Sequence, residues 1–343
     1  MPPPRPTIRS LAAEAGVSPA TVSFALRNSR EVSRPTRDRL QRLAAARGYR
    51  PDPQVAKLTH HLRTRALARA TTNICGLTQR WPGPQRGPTD YLERLRAAMQ
   101  ARAESLGYTF DVLNLDDYPT RALLQRVLIS RGIEGLVLLP RREPGDLSGR
   151  LDWSAFSTVA ATSSVLAPQF HCVTPNHFDN MIHACQQLTR AGFHRIGLAM
   201  SKEGDVRVNH RWAGGIAWQN QFGGTHPVIP LIDDRPGPNL DATTLANWLV
   251  REQPDAVVFE TLDLAVVDYA LRILRARRRP KVVTMNWPNS AADYGIDQRA
   301  ERIGTVAIEM LAAMIVRGEK GVPPLPNTMM IDGQWMPGTT GMV

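Results

Sequence analysis

From Asn73 onward the chain alternates short apolar runs with longer stretches of helical period, and this alternation restricts the fold more than any other feature. Ile74 to Leu77 precedes a helical stretch Tyr91 to Leu106, Thr109 to Leu113 precedes Arg121 to Arg131, and Gly135 to Leu139 leads into a unit ending at Phe156 to Ala160. A second series follows: helix Asn180 to Ala191, strand Arg195 to Ala199, helix Arg211 to Gln219, strand Ala256 to Phe259, helix Leu264 to Arg275 and strand Lys281 to Met285. Strands that take turns with helices are joined by crossovers, so they run parallel with helices on both faces. Two such series predict a two-lobed α/β core, with crossings near 162 to 172 and 288 to 296 and a cleft between the lobes. Ligands of open α/β sheets sit outside the carboxyl ends of the strands, which makes that cleft the expected binding site.

The first seventy residues obey a different pattern. They carry 14 Lys/Arg against 4 Asp/Glu, a surplus of 10, whereas the whole chain has 42 against 31, a surplus of 11. A basic head on a nearly neutral body suits a small domain that docks on a polyanion, DNA being the commonest, because each neutralised phosphate releases counterions. Charge alone leaves open a solvated basic face without a partner. Thr7 is placed to cap a short helix Ile8 to Ala15 with Ile8, Leu11, Ala12 and Ala15 on one face. Gly16 supplies a turn and Val17 a buried residue; Ser18 caps a second helix, Pro19 to Leu26, whose Pro stands where a missing N–H costs nothing. Ser33 opens a third helix with Pro35 in its first turn, and Gly48 ends it. Two short helices joined through Ala-Gly-Val and braced by a third form a unit that lays its second helix in a major groove. Spacing alone does not separate this from other small three-helix bundles.

The segment TIRSLAAEAGVSPATVSFALRNSREVSRPTRDRLQRLAAARGYRPDPQVAKL, Thr7 to Leu58, resembles the DNA-binding domain of the lactose-repressor (LacI/GalR) family of transcriptional regulators. The likeness runs ungapped through AGVS-x-x-TVS, VS-x-x-TR and GYRP-x-P-x-x-A-x-L. It implies that Pro19, Ala20 and Phe24 meet base edges. None of them can read guanine by a bidentate pair, although thymine methyls remain accessible to apolar contact. Phe24 stands where the family usually has Arg, and packing on the bundle is an equal alternative for it. Thr7, Ser18, Thr21, Ser23 and Arg37 match positions that hold phosphates, with Arg27 and Asn28 completing the DNA-binding set. Ser18 and Thr21 also suit pure capping roles. Pro53 to Leu62 matches the hinge helix, with Leu58 beside Lys57 as the residue that wedges into a minor-groove step.

The resemblance extends more thinly into the core, through RGIEGLVLLP (Arg131 to Pro140), LTRAGFHRIGLAM (Leu188 to Met200), HRWAGG (His210 to Gly215) and YGIDQRAERIGTVAIEMLAAMIVRGEKGVP. It implies a periplasmic-binding-protein-like core in which Arg211 matches an arginine that holds a sugar hydroxyl or a carboxylate. Where relatives carry ligand-binding acids this chain has Asn176, Asn286 and Trp287, and Glu260 opens a stretch that departs from the usual Asn-Asp pair. These five residues are the candidate effector set. Asparagines still donate and accept, and Trp287 offers a face for a sugar ring. Tryptophans such as Trp212, Trp218 and Trp287 are more often core than pocket.

The expected organisation is therefore an all-α helix-turn-helix domain over 1–62, including the hinge helix at about 53–62, a linker over 63–72, and a two-lobed core over 73–343. Lobe one takes about 73–165 and 291–319, and lobe two about 166–290 and 320–340. The implied function is a sequence-specific repressor that binds a palindromic operator as a homodimer and is modulated by a sugar-like small molecule in the cleft. Catalysis is disfavoured: no G-x-G-x-x-G follows the first strand, and no Walker loop or G-x-S-x-G elbow occurs. His171, His177 and His183 do not form one metal-binding helix face, and Cys75, Cys172 and Cys185 lack C-x-x-C spacing, so no metal or cofactor is expected. A solute-binding transport protein fits poorly with a basic head and a Pro/Arg-rich Met1 to Arg5 that no apolar segment follows, which points to the cytoplasm.

Overall fold

The computed structural model describes residues 6–26, 31–49, 73–80, 90–224, 226–235, 240–260, 264–274, 279–288 and 292–338. The expected hinge helix and linker, with Lys57 and Leu58, lie outside these residues, as do Arg27 and Asn28.

The head holds α1 (Ile8–Ala15), α2 (Pro19–Leu26) and α3 (Arg34–Ala46). Local chemistry explains each end. Thr7 and Ser10 form a reciprocal capping box, with the Ser10 N–H donating to Thr7 Oγ1 at 3.1 Å and the Thr7 N–H to Ser10 Oγ at 2.8 Å. Gly16 takes φ +67°, a left-handed conformation that admits glycine at no steric cost, and the Val17 N–H closes the turn on the Ala12 carbonyl at 3.1 Å. Leu11, Ala12, Val22, Ala25, Val32, Leu40 and Ala44 form one buried cluster, against which Ile8, Ala15, Val17 and Leu43 pack.

The core contains β1 (Asn73–Thr78), α4 (Tyr91–Ser105), β2 (Thr109–Asn114), α5 (Arg121–Ser130), β3 (Ile133–Leu138), β4 (Gly145–Asp146), β5 (Ser157–Ala160), β6 (Val165–Ala167) and β7 (His171–Pro175). It continues through α6 (His177–Arg190), β8 (Ile196–Ser201), α7 (Lys202–Arg207), α8 (Arg211–Phe222), β9 (Leu231–Asp233), α9 (Ala242–Glu252), β10 (Ala256–Phe259), α10 (Leu264–Leu274) and β11 (Lys281–Thr284). It ends with β12 (Tyr294–Asp297), α11 (Ala300–Arg317), β13 (Thr328–Ile331) and β14 (Gln334–Pro337).

These strands form two six-stranded sheets, ordered β13-β7-β5-β3-β1-β2 and β14-β12-β11-β10-β8-β9, with β4 and β6 as a separate pair. In the first sheet Ile74, Val137, Val159 and Val173 pack under α4 and α11, while Leu136, Leu138 and Phe156 face α5. In the second, Ile196, Leu198 and Val258 pack against α6 and α8, and Val257, Phe259 and Val282 against α9 and α10. Each fully buried Leu or Ile of these layers contributes about 2 kcal/mol relative to exposure.

Every pairing in the first sheet is parallel, whereas β14 runs antiparallel to β12 in the second. That reversal departs from the expected all-parallel pattern, and connectivity explains it. β13 leaves the first sheet at its carboxyl end, and only Asp332 and Gly333 separate it from β14. β14 must therefore enter the second sheet from that sheet's own carboxyl side. Gly333 leaves no room for a side chain beside Ile296 and Asn180, and its N–H donates to Asn180 Oδ1 at 2.7 Å.

By strand membership the chain changes sheets after β7, after β12 and between β13 and β14, later in each case than the expected boundaries at 165, 290 and 319. The reason is pairing that no local pattern announces: β7 hydrogen-bonds to β5 and β13 in the first sheet, and β12 to β11 in the second. All three crossings lie at carboxyl ends, so the two sheets present those ends to each other.

Candidate functional site in the head and the cleft

In the head, Pro19 and Ala20 are exposed at the start of α2, and Thr21, Ser23, Phe24 and Arg37 are half-buried. Phe24 packs partly against the helical cluster, so the packing alternative holds for at least part of its ring. Of the hydroxyls named from the sequence, Thr7 and Ser18 serve as caps here. Ser18 Oγ accepts the Thr21 N–H at 3.1 Å and shares a 2.9 Å bond with Thr21 Oγ1, and Thr7 is committed to Ser10. The arginines divide into two groups. Arg47 pairs with Glu14, its Nε lying 3.0 Å from the carboxylate, and Arg39 and Arg42 donate to backbone carbonyls. Among the described residues the guanidinium groups of Arg9, Arg34 and Arg37 have no hydrogen-bonded or ionic partner, which leaves their donors for an external anion.

The cleft is lined from the carboxyl ends of both sheets. From the first come Arg141 and Arg142 after β3, Ser163 and Ser164 after β5, and Asn176 after β7; from the second come Arg207 and Arg211 after β8, Glu260 after β10, and Asn286 and Trp287 after β11. Arg211 reaches across the lobes, its Nη1 donating to Ser163 Oγ at 2.9 Å, and Ser163 is 3.0 Å from Thr174 Oγ1. The backbone N–H of Arg141 donates to Ser164 Oγ at 2.9 Å, which ties the segment after β3 to the same serine pair.

The other sequence-named residues are less free. Glu260 is buried and pairs with Arg207 at hydrogen-bond contact. Burial first, and Arg142 second, push Arg207 down to about 10, so it stays cationic at neutral pH. Asn176 Nδ2 donates to Asp179 at 2.7 Å and to Asp332 at 2.8 Å, bracing the crossing into α6. Asn286 donates its N–H to Thr284 Oγ1 at 3.1 Å. Trp287 is half-buried against the α9/α10 cluster, where it fills the space beside Gly295. Trp212 is core, set edge-on to His177 at 5.0 Å, while Trp218 is exposed next to Phe222.

His177 was absent from the candidate set. Its imidazole is buried, with Nδ1 unpartnered, and burial chiefly, then Arg211 and Arg207, push it down to about 3. Arg141, Arg142, Arg207 and Ser163 were missed as well; the Arg-Arg pair directly after the apolar run of β3 was the available signal. Burial pushes the thiols of Cys75 and Cys185 up to about 12 and that of Cys172 to about 11, which makes them unreactive at neutral pH. Among the described residues no group of three or more His, Cys, Asp or Glu side chains comes together as a metal site, and no helix is long and apolar enough to cross a membrane.

Residues 7–52 match the family model described as "Bacterial regulatory proteins, lacI family". The HTH-type transcriptional repressor CytR of Escherichia coli (strain K12) is 26% identical over 217 residues, which are 61% of this chain; the chain spans only 58% of that relative. Among solved structures, the lac repressor dimer bound to operator and the anti-inducer ONPF superposes with a TM-score of 0.56 at 17% identity, covering 99% of this chain and 100% of that one. The complex of the transcriptional regulator CelR with cellobiose superposes with a TM-score of 0.57 at 19% identity, covering 97% of this chain and 98% of that one. At these identities the likeness to the two structures establishes the fold: a helical amino-terminal head followed by a two-lobed α/β core.

Proposed function

We propose that this chain, whose residues 7–52 match the lacI-family model, is a cytoplasmic transcriptional repressor of the LacI/GalR family, not an enzyme, which binds a palindromic DNA operator as a homodimer under the control of a small molecule in the inter-lobe cleft. The observation that carries the reading is the head. Its α2 presents an exposed first turn, and Arg9, Arg34 and Arg37 keep unengaged guanidinium groups for phosphates. Pro19, Ala20 and Phe24 would contact base edges, with apolar contact replacing bidentate readout. Thr7, Ser18, Thr21, Ser23 and Arg37 would fix the register on the backbone, together with Arg27, Asn28 and Lys57. Leu58 would wedge into the minor groove between the two half-sites.

The core contributes the control. A ligand that touches Arg211, Asn176, Asn286 and Trp287 touches both sheets, so its binding energy depends on how closely the lobes approach. Differential affinity for open and closed lobes is what lets a ligand shift operator affinity. A carbohydrate-like molecule suits a site that mixes arginine, amides and one indole face.

Replacing Leu58 with Ala tests the central part of the reading. Operator binding should weaken by tenfold or more while affinity for random duplex changes less than twofold. Equal losses on both would contradict the wedge.

A further inference from the structure

Four arginines lie at the carboxyl ends where the lobes face each other, and two of them are bonded to one pair of serines. The Arg141 backbone is bonded to Ser164, Arg142 follows directly, and Arg211 donates to Ser163 from the opposite lobe. Arg207, the last residue of α7, is four residues before Arg211, the first of α8, and is close enough to Arg142 for the two charges to repel. Their neutralisation is uneven. Glu260 pairs with Arg207; Asp116 and Glu143 act on Arg141, and Glu203 on Arg207, at longer range. The guanidinium groups of Arg142 and Arg211, both half-buried, have no carboxylate partner among the described residues. A half-buried cation without a counter-charge is unfavourable, and the repulsion between Arg142 and Arg207 acts across the two walls.

Resting on the effector site of the preceding reading, we propose that the cleft takes an oxyanion: a small molecule whose carboxylate or phosphate is gripped between Arg142 of the first lobe and Arg207 and Arg211 of the second. A planar guanidinium fork fits either group by paired N–H···O bonds. The same anion supplies the driving force for lobe closure, because it replaces repulsion between the walls with attraction to a shared charge. A neutral sugar cannot do this. The ligand class is thus an acidic carbohydrate derivative, either a sugar acid or a sugar phosphate.

All seven tryptophans, at 81, 153, 212, 218, 248, 287 and 335, lie outside the basic head, so tryptophan fluorescence reports on the core alone. The full chain is melted in inorganic phosphate, in D-glucuronate, in D-glucose, and in chloride at matched ionic strength. The expected result is a saturable rise in the melting midpoint with phosphate or glucuronate, the stronger of the two identifying the oxyanion. Arg142→Gln should move the half-saturating concentration up at least tenfold and leave the ligand-free midpoint no lower, since it relieves repulsion with Arg207. Arg142→Lys should keep part of the response. Matching rises in chloride, an undiminished response in Arg142→Gln, or no anion-specific rise at all would each overturn the proposal. Operator binding by the same preparation separates the two readings. If the operator is bound and only glucose stabilises the core, the oxyanion is wrong and the repressor reading stands. If no operator is bound, the repressor reading falls whatever the melts show.

Discussion

Replacing Arg94 with Met removes a guanidinium that ties α4 of the first lobe to the crossing between lobes, while keeping an apolar stem of similar length. Arg94 donates to both Asp297 oxygens at 3.0 Å, to Glu301 at 2.6 and 2.8 Å, and to the Trp287 carbonyl at 2.9 Å. Its side chain is 13% exposed, Asp297 is 22% and Glu301 is 54% exposed. The Glu301 contacts are therefore largely solvated and contribute about 0.5 kcal/mol. Asp297 and the Trp287 carbonyl each lose a charge-assisted partner in a drier setting, at about 1.5 kcal/mol apiece. The expected loss is about 3.5 kcal/mol, or a fall of about 7 to 14 °C in the melting midpoint of a core this size. Tryptophan fluorescence under heat or urea measures it.

A pH series adds a second signature. Arg94 is the main cause that holds the Glu301 carboxyl below its ordinary range. A carboxylate depressed in the folded state stabilises above the unfolded pKa, about 4.3, and loses that contribution as the pH falls through the folded value. The variant should accordingly show a shallower loss of stability on the acid side than the parent. A destabilisation below about 1 kcal/mol with an unchanged acid slope would refute the assignment of Arg94 as a tie between the lobes.

Arg37→Ala should lower affinity for every duplex alike and flatten the logarithmic salt dependence by about one unit; an unaltered slope would remove Arg37 from the phosphate contacts. His177, pushed down to about 3 from an ordinary 6.5, binds its proton more readily in the unfolded chain, so its contribution to stability is complete above about 6.5 and is lost as the pH falls toward 3. Urea midpoints between pH 4 and 7 should therefore slope less in His177→Phe than in the parent, and an NMR titration should find the His177 imidazole neutral down to pH 5.

Much of the head was legible because its determinants are local. Thr7, Gly16, Ser18 and Pro35 each act on residues within one turn, and the structure places them at helix ends. The rhythm of the core strands was legible for the same reason. Membership in a sheet was not. β7 follows β6 after a short, Pro-containing connection that resembles an inter-lobe linker, yet it pairs with β5 and with β13 more than 150 residues away. The site divides along the same line. Arg211, at the start of α8, was reached through the family resemblance and Trp287 through its place after β11, whereas the commitment of Glu260 to Arg207, and of Arg94 to Asp297, joins residues 53 and 203 positions apart. No window of sequence contains such pairs. Trp218 was weighed as core because indoles bury large areas, but its turn of α8 faces solvent.

Selection of DNA sites from a random duplex library by the purified full-length chain, at physiological ionic strength, tests the central claim most directly. The account predicts enrichment of a single inverted repeat, each half contacted by one copy of the head and bound two chains to one duplex. Enrichment of no sequence, or of asymmetric sites bound by a single chain, would contradict it.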